Sequence, residues 1–164
     1  MAAIRQGRIE DAKAHHAALA KLAADPIMET LTVWDRYPLA HAANIAERTV
    51  AAELALARGD RDSAVATLRE AVQIEDRIPY DEPPGWHAPV RQSLGAALLA
   101  AGRPTEAEAV YREELRRNPN NGWSLKGLSL SLDRQNRPQD SREMEKLLAA
   151  AWQHADVRLS ASVF

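Results

Sequence analysis

The chain has 164 residues, enough to bury a core of its own, and no cysteine, which excludes disulfides, iron–sulfur clusters and thiolate zinc sites. Lys and Arg number 21 against 23 Asp and Glu, a net charge of −2 with both signs interspersed, so nothing in the overall balance draws the chain to nucleic acid or an anionic membrane. The 46% hydrophobic fraction is mostly Ala and Leu, strong helix formers, and its longest apolar stretches, such as Ala96 to Ala101, are far too short to span a bilayer.

The N-terminus lacks the basic-then-apolar order of a signal peptide, which leaves the compartment open for what reads as a soluble chain. Alternating apolar and polar runs of strand length are absent, so the whole chain is expected to be helical. In chain order, Gly7 is a turn position and Ile9 to Ala24 a helix, with Ala12 at a small-residue position. Its preceding partner helix is reduced to Met1 to Gln6, so residues 1–26 read as half of a helix–turn–helix unit. A half unit leaves an apolar face uncovered, which predicts either that the chain is the C-terminal part of a longer protein or that a partner chain supplies the first helix. Asp25 to Ala40 is expected to be an irregular joint with a short helix over Ile27 to Val33.

Residues 39–76 form the next unit. Its first helix reaches Arg58, Gly59-Asp60 makes the turn, and Arg61 to Asp76 follows with Ala64, Leu68 and Val72 on the inner face. A proline-rich connection, Ile78-Pro79-Tyr80-Asp81-Glu82-Pro83-Pro84-Gly85, leads to a unit at 86–119, and a further unit occupies 121–154. These last two share a period. Leu94, Leu98, Gly102, Pro104 and Ala107 recur 34 positions later as Leu128, Leu132, Asn136, Pro138 and Ser141, with Gly95 recurring as the small residue Ser129. Gly102 and Asn136 suit a left-handed residue after one helix, and each proline suits the first turn of the next. Pro119 ends the helix before it, and Asn120 or Asn121 can cap the one after. Residues 155–164 form a tail.

Leu94-Gly95, Leu98, Gly102, Ala107, Tyr111 and Pro119 resemble the tetratricopeptide repeat consensus in type and spacing. The stretches Tyr80 to Trp86, Pro89 to Leu99 and Asn118 to Leu125 further resemble the C-terminal region of long bacterial tetratricopeptide repeat proteins, a likeness that runs from about Ala43 to Phe164. His87 stands where that group carries an aromatic, and Lys126 where it carries Phe. The resemblance implies a single domain of antiparallel helix–turn–helix repeats stacked as a short right-handed α-solenoid. It also implies a non-catalytic role, with a protein or peptide partner bound in the concave groove lined by first helices.

Template positions place Gln92, Leu99, Trp123, Lys126 and Leu130 in that groove. Only Lys126 could serve a carboxylate clamp, so an apolar or helical ligand, or another copy of the chain, is expected. Tyr80, Trp86 and His87 form a second candidate surface, since a stiff proline run presents aromatics at small entropic cost. The competing expectation, favoured because aromatics in such a loop usually pack, is that they fold back and cover the seam between units. Trp34, Trp123 and Trp152 are expected to pack as well, with Trp123 the most exposed of the three.

Catalytic signals are absent. Seven scattered glycines contain no phosphate loop, adjacent carboxylates such as Glu113 and Glu114 are ordinary on a solvated helix, and His15 and His16 point about 100° apart. No cofactor and no metal ligand is assigned. Glu113 and Glu114 interrupt the basic edge Arg112, Arg116 and Arg117, which therefore reads as intrahelical pairing rather than a nucleic-acid surface. The alternative functions are a structural region that self-associates through the incomplete first unit and, less favoured, a metal-dependent enzyme.

Overall fold

The computed structural model describes residues 1–163. They form two compact units, Met1–Val90 and Arg91–Phe164, each considered in its own right. The N-terminal unit contains α1 (Ala2–Arg5), α2 (Ile9–Ala23), α3 (Ile27–Thr30), the two-residue strands β1 (Thr32–Val33) and β2 (Tyr37–Pro38), α4 (Leu39–Ala57) and α5 (Arg61–Glu75). The C-terminal unit takes up α6 (Val90–Ala100) from its second residue and continues with α7 (Pro104–Arg117), α8 (Gly122–Asp133) and α9 (Pro138–Ala151).

One turn is used four times. Gly7, Gly59, Gly102 and Asn136 adopt φ of 74°, 81°, 72° and 57°, and after each of them the next residue's amide reaches back to a carbonyl of the preceding helix. Those bonds are Arg8 to Ala3, Asp60 to Ala55, Arg103 to Leu98 and Arg137 to Leu132, 2.8 to 3.0 Å long, the pattern in which a left-handed residue closes a helix C-terminus. Five residues beyond each turn, Ala12, Ala64, Ala107 and Ser141 are all nearly inaccessible, so the second helix approaches its neighbour closely at the same level each time. The four-residue α1 and the fifteen-residue α2 flank the first of these turns.

In the N-terminal unit α2 packs on α4 and α4 on α5, burying Ile45, Ala52, Leu54, Ala55, Val65, Leu68 and Val72. Asp60 caps α5 by accepting from the Ser63 amide at 3.1 Å. In the C-terminal unit α7 packs on α8 and α8 on α9, around Leu94, Leu98, Tyr111, Leu125, Leu128, Leu132 and Leu148. Burial of each leucine contributes roughly 1.5–3 kcal/mol. Pro104 and Pro138 begin α7 and α9, and Asn121 caps α8 through a 3.1 Å bond from the Trp123 amide. The link between α7 and α8 is held from inside. Glu114, almost wholly buried, accepts from Asn118 Nδ2 at 2.9 Å and Asn121 Nδ2 at 3.2 Å, satisfying its carboxylate while fixing the turn that carries Pro119.

The joint between α2 and α4 departs from expectation. Its helix stops at Thr30, and Thr32 and Val33 pair antiparallel with Pro38 and Tyr37 in a small hairpin. Of the expected tail, Phe164 lies outside the described residues.

Candidate interaction surfaces

The hairpin tip and the proline-rich loop adjoin within the N-terminal unit. Trp34 and Asp35 occupy the central positions of the turn with φ of 50° and 57°, and the Arg36 amide closes it onto the Val33 carbonyl at 3.0 Å. Two positive φ angles match the twist of a tight hairpin but normally call for Gly or Asn. Asp35 is steadied by the Thr32 hydroxyl, which donates to it at 2.9 Å, whereas the indole of Trp34 is 60% exposed. An aromatic residue in the left-handed region costs on the order of 1–3 kcal/mol. The expectation that Trp34 packs is thus corrected: it stands at the tip of a two-strand turn and points into solvent.

Arg36 joins the hairpin to the loop. Its guanidinium donates to the Tyr80 carbonyl at 3.1 Å and lies 3.5 Å from the Asp81 carboxylate. Asp81 accepts in turn from the Glu82 amide at 3.0 Å, and the Tyr80 hydroxyl donates to Glu82. That bond and the Glu82 charge raise the Tyr80 pKa above the usual phenol value. At the loop's far end Gly85 lies against Tyr37, where a Cβ would fall 2.2 Å from the phenol oxygen. The buried Tyr37 ring stacks on His41 at 6.1 Å, and the Val90 amide closes the loop onto the Glu75 carboxylate at 3.1 Å.

The loop backbone is thus tethered at both ends while the ring of its first aromatic stands in solvent. Tyr80 is 80% exposed, so it does not fold back, contrary to the favoured expectation for the loop aromatics. Trp86 is half-buried and tilts against the exposed His87 at 5.1 Å.

In the C-terminal unit the predicted groove positions divide. Gln92 and Leu99 are buried, and the Leu99 carbonyl accepts from Arg134 at 2.5 Å. Leu130 is half-buried, as is Trp123, whose ring meets Trp152 edge-on at 6.1 Å. Lys126 donates to Glu145 at 2.9 Å, and Glu145 also accepts from Ser129 at 2.5 Å. Burial pushes the Glu145 pKa up, but the bonds from Ser129 and Lys126 outweigh it and leave the group below the ordinary value.

Along α7, Arg112 pairs with Glu108 at 2.8 Å, and Arg116 and Arg117 pair with Glu113 at 2.8 and 2.7 Å. Bonds from Arg116 and Arg117 hold the Glu113 carboxyl at about 2. That neutralisation fits the pairing role read from the sequence. His16 meets Glu47 at 2.7 Å, and among the described residues no group of three or more His, Cys, Asp or Glu could hold a metal ion. No helix among them is long and apolar enough to cross a membrane.

One site went unpredicted. Tyr111 of α7 is fully buried, and its ring is pinched between Gly95 of α6 and Gly127 of α8: a Cβ at either glycine would lie 2.2 Å from the ring. The phenol oxygen sits 2.6 Å from Ser162 Oγ in the tail, and Ser162 donates to the Gln92 carbonyl at 3.2 Å. Burial pushes the Tyr111 pKa up to about 12. The sequence signal was the pair of helix glycines, one on each first helix. The tail serine carried none.

Comparison with known proteins bears on the same segment. The sequence model of the tetratricopeptide repeat matches residues 88–131, which take in α6, α7 and most of α8. The chain is also similar to the cellulose synthase operon protein C of Xanthomonas axonopodis pv. citri (strain 306), 41% identical over 100 residues. That stretch is 61% of this chain and 6% of the relative, so the chain spans only a small part of the relative's length. No solved structure matches it. With the repeated turn, the small residue five positions after it and the matched segment in agreement, the chain is an all-helical protein of tetratricopeptide-like repeats, of which residues 88–131 match the family's sequence model.

Proposed function

We propose that this protein is a non-catalytic interaction module that holds a protein partner through the aromatic edge of its N-terminal unit, with Tyr80 and Trp34 as anchors. Tetratricopeptide repeats generally mediate protein–protein interaction, and the family is typically non-catalytic. The observation that carries the reading is an 80% exposed Tyr80 on a loop whose backbone is already tied to Arg36. An exposed aromatic on a pre-ordered backbone loses little entropy on binding, which is the usual character of an interface anchor. In the C-terminal unit, considered by itself, a peptide or partner helix laid on α8 would meet Trp123, Lys126 and Leu130. The relative's name refers to a cellulose synthase operon, so products of an operon of that kind are the first partners to assay. Tyr80→Ala is expected to weaken a bound partner by about tenfold or more, read by titration calorimetry. Unchanged affinity in a Tyr80→Ala, Trp34→Gly double variant would overturn the assignment.

A second reading has its own observation. Beside the one-turn α1 there is an open cavity of about 360 Å³, lined among others by Ala12, His15, Leu19 and Val50. Self-association through this face predicts an apparent mass that rises with concentration in light scattering, and Leu19→Glu should suppress it. A constant monomer mass rules it out.

A further inference from the structure

We propose that the C-terminal unit carries a peptide-binding subsite built on Tyr111, and that the chain's own tail, residues 157–163, is a ligand bound there in cis. The proposal rests on reading the chain as an interaction module, but its test follows the tail directly, so either can fail alone.

The tail is neither helix nor strand, yet it is held at two points. Trp152 Nε1 donates to the Val157 carbonyl at 2.9 Å, and its ring lies on α8 where Gly122 leaves room: a Cβ there would be 2.3 Å from the indole. Further on, Ser162 is 2% exposed, and Leu159 and Val163 are half-buried while Ser160 is exposed. The hydroxyl of Ser162 is read on both sides. Having one hydrogen, it donates to the Gln92 carbonyl, so the Tyr111 phenol must donate to it.

That arrangement depends on α6 and α8 together. Gly95 and Gly127 let the Tyr111 ring pass between the two helices, and its oxygen emerges where the Gln92 carbonyl still has a lone pair beyond its helical bond. A fixed donor and a fixed acceptor close together fit a small hydroxyl side chain, Ser or Thr, in a non-helical segment. An apolar residue would leave the phenol unpaired, and an anionic one would bring charge into a desolvated slot. Gln92, predicted to line the ligand groove, is thus buried in part by a segment of the same chain that uses its carbonyl.

The experiment uses the full chain and a fluorescein-labelled peptide of residues 154–163. Against wild type the peptide should bind weakly, because a tethered tail competes at an effective concentration of about a millimolar. Ser162→Glu should expel the tail, seen as fast amide exchange over residues 157–163 with the helical circular dichroism intact, and should strengthen peptide binding by about tenfold or more. A peptide with Ser162→Ala should lose about tenfold or more of that affinity, the effect of two hydrogen bonds. Equal binding to wild type and variant would overturn the proposal, as would no binding once the tail is free, or indifference to the peptide's serine. Loss of helical signal in Ser162→Glu would also contradict it, since a displaceable ligand leaves the folded repeats standing. The milder Ser162→Ala protein should show a smaller rise in tail exchange and in peptide affinity.

Discussion

Gly127→Ala tests the packing of the Tyr111 slot most sharply, because two effects of comparable size oppose each other. In a helix interior alanine is favoured over glycine by about 1 kcal/mol, so an unpacked site would be stabilised. Here the new methyl would sit 2.2, 2.4 and 2.7 Å from three ring carbons of Tyr111, more than an ångström inside contact. The ring cannot retreat toward α6, because Gly95 already lies against its other side within a distance that excludes a Cβ. Overpacking of this kind costs typically about 1–3 kcal/mol and here should exceed the propensity gain, giving a net loss of about 1–2 kcal/mol. Urea unfolding followed by far-UV circular dichroism should show the midpoint fall, with faster amide exchange in α7 and α8. In a Tyr111→Leu background the same substitution should become neutral or stabilising. A Gly127→Ala protein more stable than wild type would refute the slot.

Tyr111 makes the C-terminal unit sensitive to alkali. Its pKa is raised in the folded protein to about 12 from the ordinary phenol value of 10.0, so the folded state keeps the proton longer than the unfolded one. Stability is complete below pH 10 and falls as pH climbs toward 12, by about 3 kcal/mol relative to a Tyr111→Phe protein, measured by urea unfolding across that range. Ser124 is wholly buried and its hydroxyl finds no partner among the described residues, so Ser124→Ala should leave thermal stability unchanged or raise it by up to about 1 kcal/mol. Trp34→Gly removes an exposed side chain and suits its φ of 50°, while loosening the unfolded chain by a similar amount. Its melting temperature should therefore stay within a few degrees of wild type while partner affinity drops.

The repeat architecture was legible because it is written in local chemistry. Gly102 and Asn136 end one helix, Pro104 and Pro138 start the next, and Ala107 and Ser141 mark the close approach. These signals act over a few residues, and the observed helices follow them to within about two positions at most ends. The hairpin was not legible, because its strands are two residues long and its turn places Trp and Asp where Gly or Asn is usual. Tyr37 is buried because Gly85, from the loop after α5, lies against it, a contact no periodicity reveals.

Non-local contacts also explain the divided fate of the groove residues. Template spacing set Gln92 and Lys126 on the binding face, but the tail uses the Gln92 carbonyl and Glu145 of the next helix takes Lys126. Tyr80 shows the reverse. The composition of its loop suggested packing, whereas the Arg36 bonds hold the backbone and leave the ring in solvent.

Binding of a partner to wild-type protein and to the Tyr80→Ala, Trp34→Gly double variant, compared by titration calorimetry with circular dichroism to establish that both are folded, tests the interaction-module account most directly. The account predicts a folded double variant whose affinity is lower by about a hundredfold, each anchor contributing about tenfold. An unchanged dissociation constant in a folded variant would contradict it.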